Sequence, residues 1–157
     1  KRAQTYDIPT VILFRNPRDC IPSLVSRFRP GPLEAVLRYI HFYRYVYKIA
    51  SDVLLVSFEE ATQEVNQTVN RIAGFAELSL EGCSLVNLED RAKASIRQQT
   101  KERGNVDQIS LPKKDREEEK EEVRKEIQRM PEFEEANRLY ERVQKLHVQQ
   151  DTSLRHS

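Results

Sequence analysis

Thr10–Arg29, TVILFRNPRDCIPSLVSRFR, decides how the chain is read. An apolar, β-prone run from Val11 to Phe14 stops at Arg15, and Asn16 and Pro17 turn the chain into a segment whose apolar residues recur at helical spacing. Asn is a good N-cap and Pro is preorganised for the first helical position, so the pair marks a helix start by mechanism. The expectation is a buried strand feeding a helix. The N-terminus of that helix, with Arg15 beside it, is expected to bind an anion. Unpaired N–H groups and the positive end of the dipole would face the carboxyl end of the strand, where open α/β sheets hold their ligands.

Pro30, Gly31 and Pro32 impose a loop. Leu33–Ala50 then reads as a long amphipathic helix in which Tyr39, Phe42, Tyr43, Val46, Tyr47 and Ile49 alternate with Arg38, Arg44 and Lys48. Its aromatics are expected to pack on the sheet, and helical spacing accounts for the interleaved arginines without a nucleic-acid surface. His41 has no carboxylate or nucleophile placed beside it by local spacing and reads as a helix-surface or packing residue. Asp52–Phe58, DVLLVSF, is as apolar as a parallel strand covered on both faces. Helices join it to the first strand, which makes a parallel α/β sheet the economical architecture. Glu59 and Glu60 open the next helix, where acidic groups complement the dipole, and Val65, Val69, Ile72, Ala73 and Phe75 keep one apolar face up to the region of Gly74.

Beyond Leu78 the composition changes. Residues 79–87 are loop-like around Gly82, and Leu88–Gln99 can form a short charged helix. From Asp115 to Gln150 the chain is densely charged and periodic, and Pro131 divides it into two helices. The apolar stripe of these helices, Val123, Ile127, Met130, Phe133, Ala136, Leu139, Tyr140, Val143 and Leu146, is expected to dock on the domain or on a partner chain. The expected organisation is an α/β domain over 1–112, charged helices packing on it over 113–150, and a frayed tail over 151–157.

A chain of 157 residues can bury one core but not two. Hydrophobic residues make up 38%, charged residues 32%, and no window is long and apolar enough to cross a membrane. The net charge of +1 gives no whole-chain argument for nucleic acid. Cys20 and Cys83 form no metal or redox spacing, and so few cysteines suggest a reducing, cytoplasmic setting. A thiol near a helix N-terminus can have a lowered pKa, so Cys20 is either activated or buried and inert. The three histidines, His41, His147 and His156, are scattered, and no metal is expected. Asn66, Gln67 and Thr68 spell a glycosylation sequon inside a predicted helix.

Residues 15–23, RNPRDCIPS, resemble the 3′-phosphate-binding segment of sulfotransferases that use 3′-phosphoadenylyl sulfate (PAPS), the activated sulfate donor. The resemblance implies that Arg15 and Ser23 contact the donor's 3′-phosphate. Pro22 departs from the pattern: it removes a helical N–H, so a kink is expected to displace Ser23. Residues 52–75, DVLLVSFEEATQEVNQTVNRIAGF, are similar to the family segment that follows, where a strand ends in an aromatic and acidic pair and a helix closes on an IAxF-like end. Residues 101–112, KERGNVDQISLP, loosely resemble the late basic-glycine segment that reaches back over the donor's 3′-phosphate and adenine. That adds Arg103 and Gly104, next to Lys101, as cofactor-binding candidates. The fold implied is a partial three-layer α/β sandwich of the P-loop-containing nucleotide hydrolase kind, parallel strands covered by helices, with a C-terminal helical extension.

Sulfuryl transfer needs donors for the phosphates, a cation or N–H cluster on the bridging oxygen, and a base near the acceptor. Only the first is visible here. None of the four glycines sits in a phosphate loop, and no base is recognisable, so the catalytic residues stay unassigned. The chain begins on Lys1 and resembles roughly the C-terminal half to two-thirds of a sulfotransferase domain. It is expected to be the later portion of a longer enzyme, inactive alone, acting on a hydroxyl or amine acceptor. The competing expectation is a noncatalytic helical protein-interaction module on an α/β scaffold, homo-oligomeric through its C-terminal helices.

Overall fold

A computed structural model describes residues 8–88, 90–92, 94, 95, 98 and 114–154. In chain order these form strand β1 (Val11–Phe14), helix α1 (Pro17–Phe28), helix α2 (Pro32–Ile49), a 3-10 turn (Ala50–Asp52), strand β2 (Leu54–Ser57), and helices α3 (Phe58–Gln63), α4 (Val65–Phe75), α5 (Lys114–Ile127) and α6 (Pro131–Leu154). The chain is mainly helical. β1 and β2 pair in parallel, Val11 opposite Leu54 and Phe14 opposite Ser57, with α1 and α2 as the crossover that parallel pairing demands. This is a partial α/β layout.

The local signals act as their chemistry dictates. Asn16 caps α1 by accepting from the Arg18 N–H at 2.8 Å, Pro17 takes the first helical position, and Arg29 ends the helix at φ 58° just before Pro30. Pro32 likewise starts α2, and Ser57 and Glu60 form a reciprocal capping box for α3. The single helix expected over 59–75 is instead two. Glu64 leaves the helical region at φ −122° and ψ 45°, which redirects α4 so that Arg71 reaches back to β2.

One core holds the molecule together. Phe14 from β1, Ile21 from α1, Tyr39 and Tyr43 from α2 and Leu55 from β2 share it with Ile127 from α5 and Phe133 and Val143 from α6. The C-terminal stripe therefore docks on the chain's own α/β part, and α5 and α6 share a single interior with β1, α1, α2 and β2. The period of two in β1 turns Phe14 inward, while Leu13 is 52% exposed, so β1 is covered on one face only, not buried as expected. β2 is buried on both faces. The tail expected to fray from residue 151 is helical through Leu154, because Asp151 is tied to Arg71 at 2.8 Å.

Side chains occupy the backbone groups that the short sheet leaves unpaired. The Leu54 N–H bonds the Thr10 carbonyl across the sheet, so Leu55 and Ser57 direct their peptide groups to the far edge of β2. There the Leu55 N–H donates to Gln150 Oε1 at 3.0 Å, Arg71 Nη2 donates to the Leu55 carbonyl at 2.8 Å, and the Ser57 N–H donates to Glu60 Oε2 at 2.7 Å. Polar side chains thus stand where a third strand would lie.

Candidate anion site at the strand ends

Arg15 follows β1 directly, and Phe58 follows β2, so the parallel register brings them together where both strands end. The Arg15 guanidinium lies over the Phe58 ring, 4.0 Å from its centroid. Two tyrosines from α2 fix the Arg15 peptide. Its N–H donates to Tyr43 Oη at 2.7 Å, and its carbonyl accepts from Tyr39 Oη at 2.8 Å and Tyr43 Oη at 2.9 Å. The two phenol rings stack at 4.0 Å.

Arg15 is half-buried, and among the described residues no carboxylate pairs with its guanidinium; its Nε–H is buried without an acceptor. A part-buried guanidinium with no carboxylate at ion-pair distance among the described residues leaves this corner electrostatically suited to an anion. Glu117 on α5 feels that charge. Its carboxyl is held below the usual range chiefly by a hydrogen bond from Lys120, with Arg124 and Arg15 contributing.

The helix N-terminus supplies less than its sequence suggests. Pro17 has no N–H, the Arg18 N–H is taken by the Asn16 side chain, and the Asp19 and Cys20 N–H groups both bond the Asn16 carbonyl. The open donors expected there are internally satisfied. Ser23 lies further along α1 and donates its hydroxyl to the Asp19 carbonyl at 2.8 Å; no hydrogen bond joins it to Arg15. Its lone pairs remain, but its proton is engaged in the helix. Pro22 does not interrupt α1. The Arg18 carbonyl, which the missing Pro22 N–H would have bonded, instead faces Arg124 Nε at 3.4 Å. Arg103 and Gly104, like Lys101, lie outside the described residues.

Burial pushes the Cys20 thiol up, against the opposing influence of Arg15, so the inert reading applies. His41 is exposed on α2.

A second charged cluster was not legible in the sequence. Arg71 Nη1 lies 3.2 Å from Glu60 Oε1, its Nη2 lies 2.8 Å from Asp151 Oδ1 and 3.2 Å from His147 Nδ1, and His147 Nε2 lies 3.1 Å from Glu60 Oε2. Glu60, His147 and Asp151 offer three donor atoms within 4.8 Å of one another, a spacing open to a metal ion. The chemistry is otherwise. Arginine carries only donors, and Arg71 bonds both carboxylates of the set while its Nη2 faces His147 Nδ1. With a guanidinium holding both carboxylates, the set is an ionic clasp. The spacing of His147 and Asp151, four apart on one helix, was the available signal; Glu60 and Arg71 come from distant segments.

The sequence matches no family model, no curated protein and no solved structure. Among the described residues, no helix is long and apolar enough to cross a membrane.

Proposed function

We propose that this chain supplies the 3′-phosphate site of a PAPS-dependent sulfotransferase, with Arg15 as the principal anion ligand and Ser23 as a secondary one. The observation that carries this reading is the half-buried Arg15 guanidinium at the ends of two parallel strands, with no carboxylate at ion-pair distance among the described residues and its Nε–H buried without an acceptor. The motif resemblance of residues 15–23 and 52–75 agrees with it in order and spacing. On this reading the two strands belong to a larger three-layer sandwich of the P-loop kind in a cytoplasmic enzyme. The sulfuryl group would pass from PAPS to a hydroxyl or amine, with the phosphate-loop lysine and the base supplied from elsewhere in the protein.

Calorimetric titration with 3′-phosphoadenosine 5′-phosphate and with adenosine 5′-phosphate tests the proposal. The doubly phosphorylated nucleotide should bind more tightly. Arg15→Ala should weaken it by about 1–3 kcal/mol, as for a charge-assisted hydrogen bond. Ser23→Ala should cost less, since the hydroxyl proton already serves the Asp19 carbonyl. Equal binding of the two nucleotides would overturn the assignment.

The alternative, a noncatalytic module that self-associates through its helices, has one observation in its favour. A cavity of about 780 Å³ between α2 and α6 is lined by Leu37, Phe42 and Tyr45 together with Glu34, Arg38 and Glu135. Because α5 and α6 share the core, their removal is no test. Leu37→Ser with light scattering is, and loss of an oligomer with nucleotide binding intact would favour the module.

A further inference from the structure

We infer that Tyr39 and Tyr43 are positioning residues for Arg15: by bonding both polar groups of its peptide from one side, they set the direction in which the guanidinium is presented at the strand ends. The inference deepens the donor-site reading and rests on it for the ligand.

Arg15 lies just past the last paired residue of β1, where no neighbouring strand is available to hold its peptide. Tyr43 Oη accepts from the N–H and donates to the carbonyl, and Tyr39 Oη donates to the same carbonyl. Together they replace the pair of bonds that a third strand would have made. A side chain leaves its backbone along the Cα–Cβ vector, so fixing the peptide fixes the root of the guanidinium. Phe58 then limits its far end by ring contact at 4.0 Å. The phenols are themselves rigid: they stack on each other, Phe42 packs edge-on against Tyr43, and both belong to the core. Burial pushes Tyr43 up to about 12, and burial with the neighbouring Tyr43 pushes Tyr39 up as well, so both remain protonated at neutral pH. An arginine held at both ends loses little freedom when an anion binds, which is the advantage of preorganisation.

The two hydroxyls are not equivalent. Tyr43→Phe leaves the Arg15 N–H without an acceptor, whereas Tyr39→Phe leaves the Arg15 carbonyl still bonded by Tyr43. Two readouts on the 157-residue chain test this: hydrogen exchange and the Nε–Hε resonance of Arg15 by NMR, and titration with 3′-phosphoadenosine 5′-phosphate and adenosine 5′-phosphate. Tyr43→Phe should speed exchange at the Arg15 amide and shift its Nε–Hε signal. It should also weaken the 3′-phosphorylated nucleotide by about three- to tenfold, a lost hydrogen bond's worth, without moving the other nucleotide. Tyr39→Phe should do the same to a smaller degree. A Tyr43→Phe protein whose preference for the 3′-phosphorylated nucleotide is as large as the wild type's would overturn the inference. If the wild-type chain shows no such preference, the donor-site reading fails, and the NMR readout decides the positioning by itself. A shifted Nε–Hε signal in Tyr43→Phe then upholds it, and an unchanged one overturns it.

Discussion

Nη2 of Arg71 lies 3.2 Å from Nδ1 of His147, and this contact between α4 and α6 is the centre of a clasp around β2. The same guanidinium bonds the Leu55 carbonyl, Glu60 and Asp151, while the edge of the His147 ring packs against Phe14, with centroids 5.2 Å apart. One side chain thereby joins a strand, the helix after it and the C-terminal helix.

Arg71→Ala should therefore destabilise the chain by about 3 kcal/mol in urea denaturation, since it strands two partly buried carboxylates and a strand carbonyl. Arg71→Lys should recover little of this. A single ammonium cannot reproduce the planar fork that reaches Glu60, Asp151 and the Leu55 carbonyl at once. Full recovery by lysine would show that charge, not geometry, holds the clasp.

Glu60 gives the clasp a pH dependence. Partial burial pushes its carboxyl up, but the hydrogen bonds from Ser57, with His147 and Arg71 beside it, outweigh that and hold it below the ordinary value of 4.5. The unfolded chain thus takes up this proton before the folded one as pH falls. Glu60 contributes fully above about 4.5, and its contribution is lost as pH falls through the lower, folded value. Denaturation midpoints of the wild type and Glu60→Gln between pH 6 and pH 3 should converge as the pH drops. Parallel curves would show that Glu60 is not stabilised in its charged form.

Gln150 provides a sharper test of the side-chain edge on β2. Its Nε2 donates to the Ala50 and Val53 carbonyls at 2.8 and 2.9 Å, while its Oε1 accepts from Leu55. Gln150→Glu keeps the size and the acceptor but sets a second oxygen against two carbonyls. It should cost about 2 kcal/mol or more and exceed the cost of Gln150→Ala, although glutamate is a good helix residue. A neutral outcome would show that water, not this amide, satisfies the edge.

How much of this could be read beforehand follows from the range of each signal. The β1–α1 turn, the start of α2 to within one residue and the break before α6 at Pro131 were legible because Asn, Gly and Pro act on their own backbone. The inward stripe of α5 and α6 was legible from its period, although period alone left its docking partner open. The internal satisfaction of the α1 N-terminus was not, since it depends on where the Asn16 side chain and carbonyl point. Nor was the clasp: Gln150, Asp151, His147, Arg71 and Glu60 are ordinary residues of polar helix faces until the chain folds, and long-range polar pairing has no periodicity. The motif marks Arg15, but helical spacing marks Tyr39 and Tyr43 only as packing aromatics, since their bonds to the Arg15 backbone are long-range.

The docking of α5 shows which of its many charges matter. Ile127 is fully buried and Val123 nearly so, whereas Glu119 pairs with the exposed Arg29, and Arg124 lies 3.4 Å from Asp19. Exposed ion pairs are screened by water and salt and contribute little; buried apolar volume does not have that weakness. Ile127→Ala should accordingly cost about 2–5 kcal/mol, and Glu119→Gln less than about 1 kcal/mol, with the latter effect vanishing at high salt. The same ranking should hold for protease sensitivity across 114–127, because cleavage there requires α5 to leave the core. If Glu119→Gln proved the more damaging of the two, α5 would be held by its charges, and raising the salt concentration should then release it from α1.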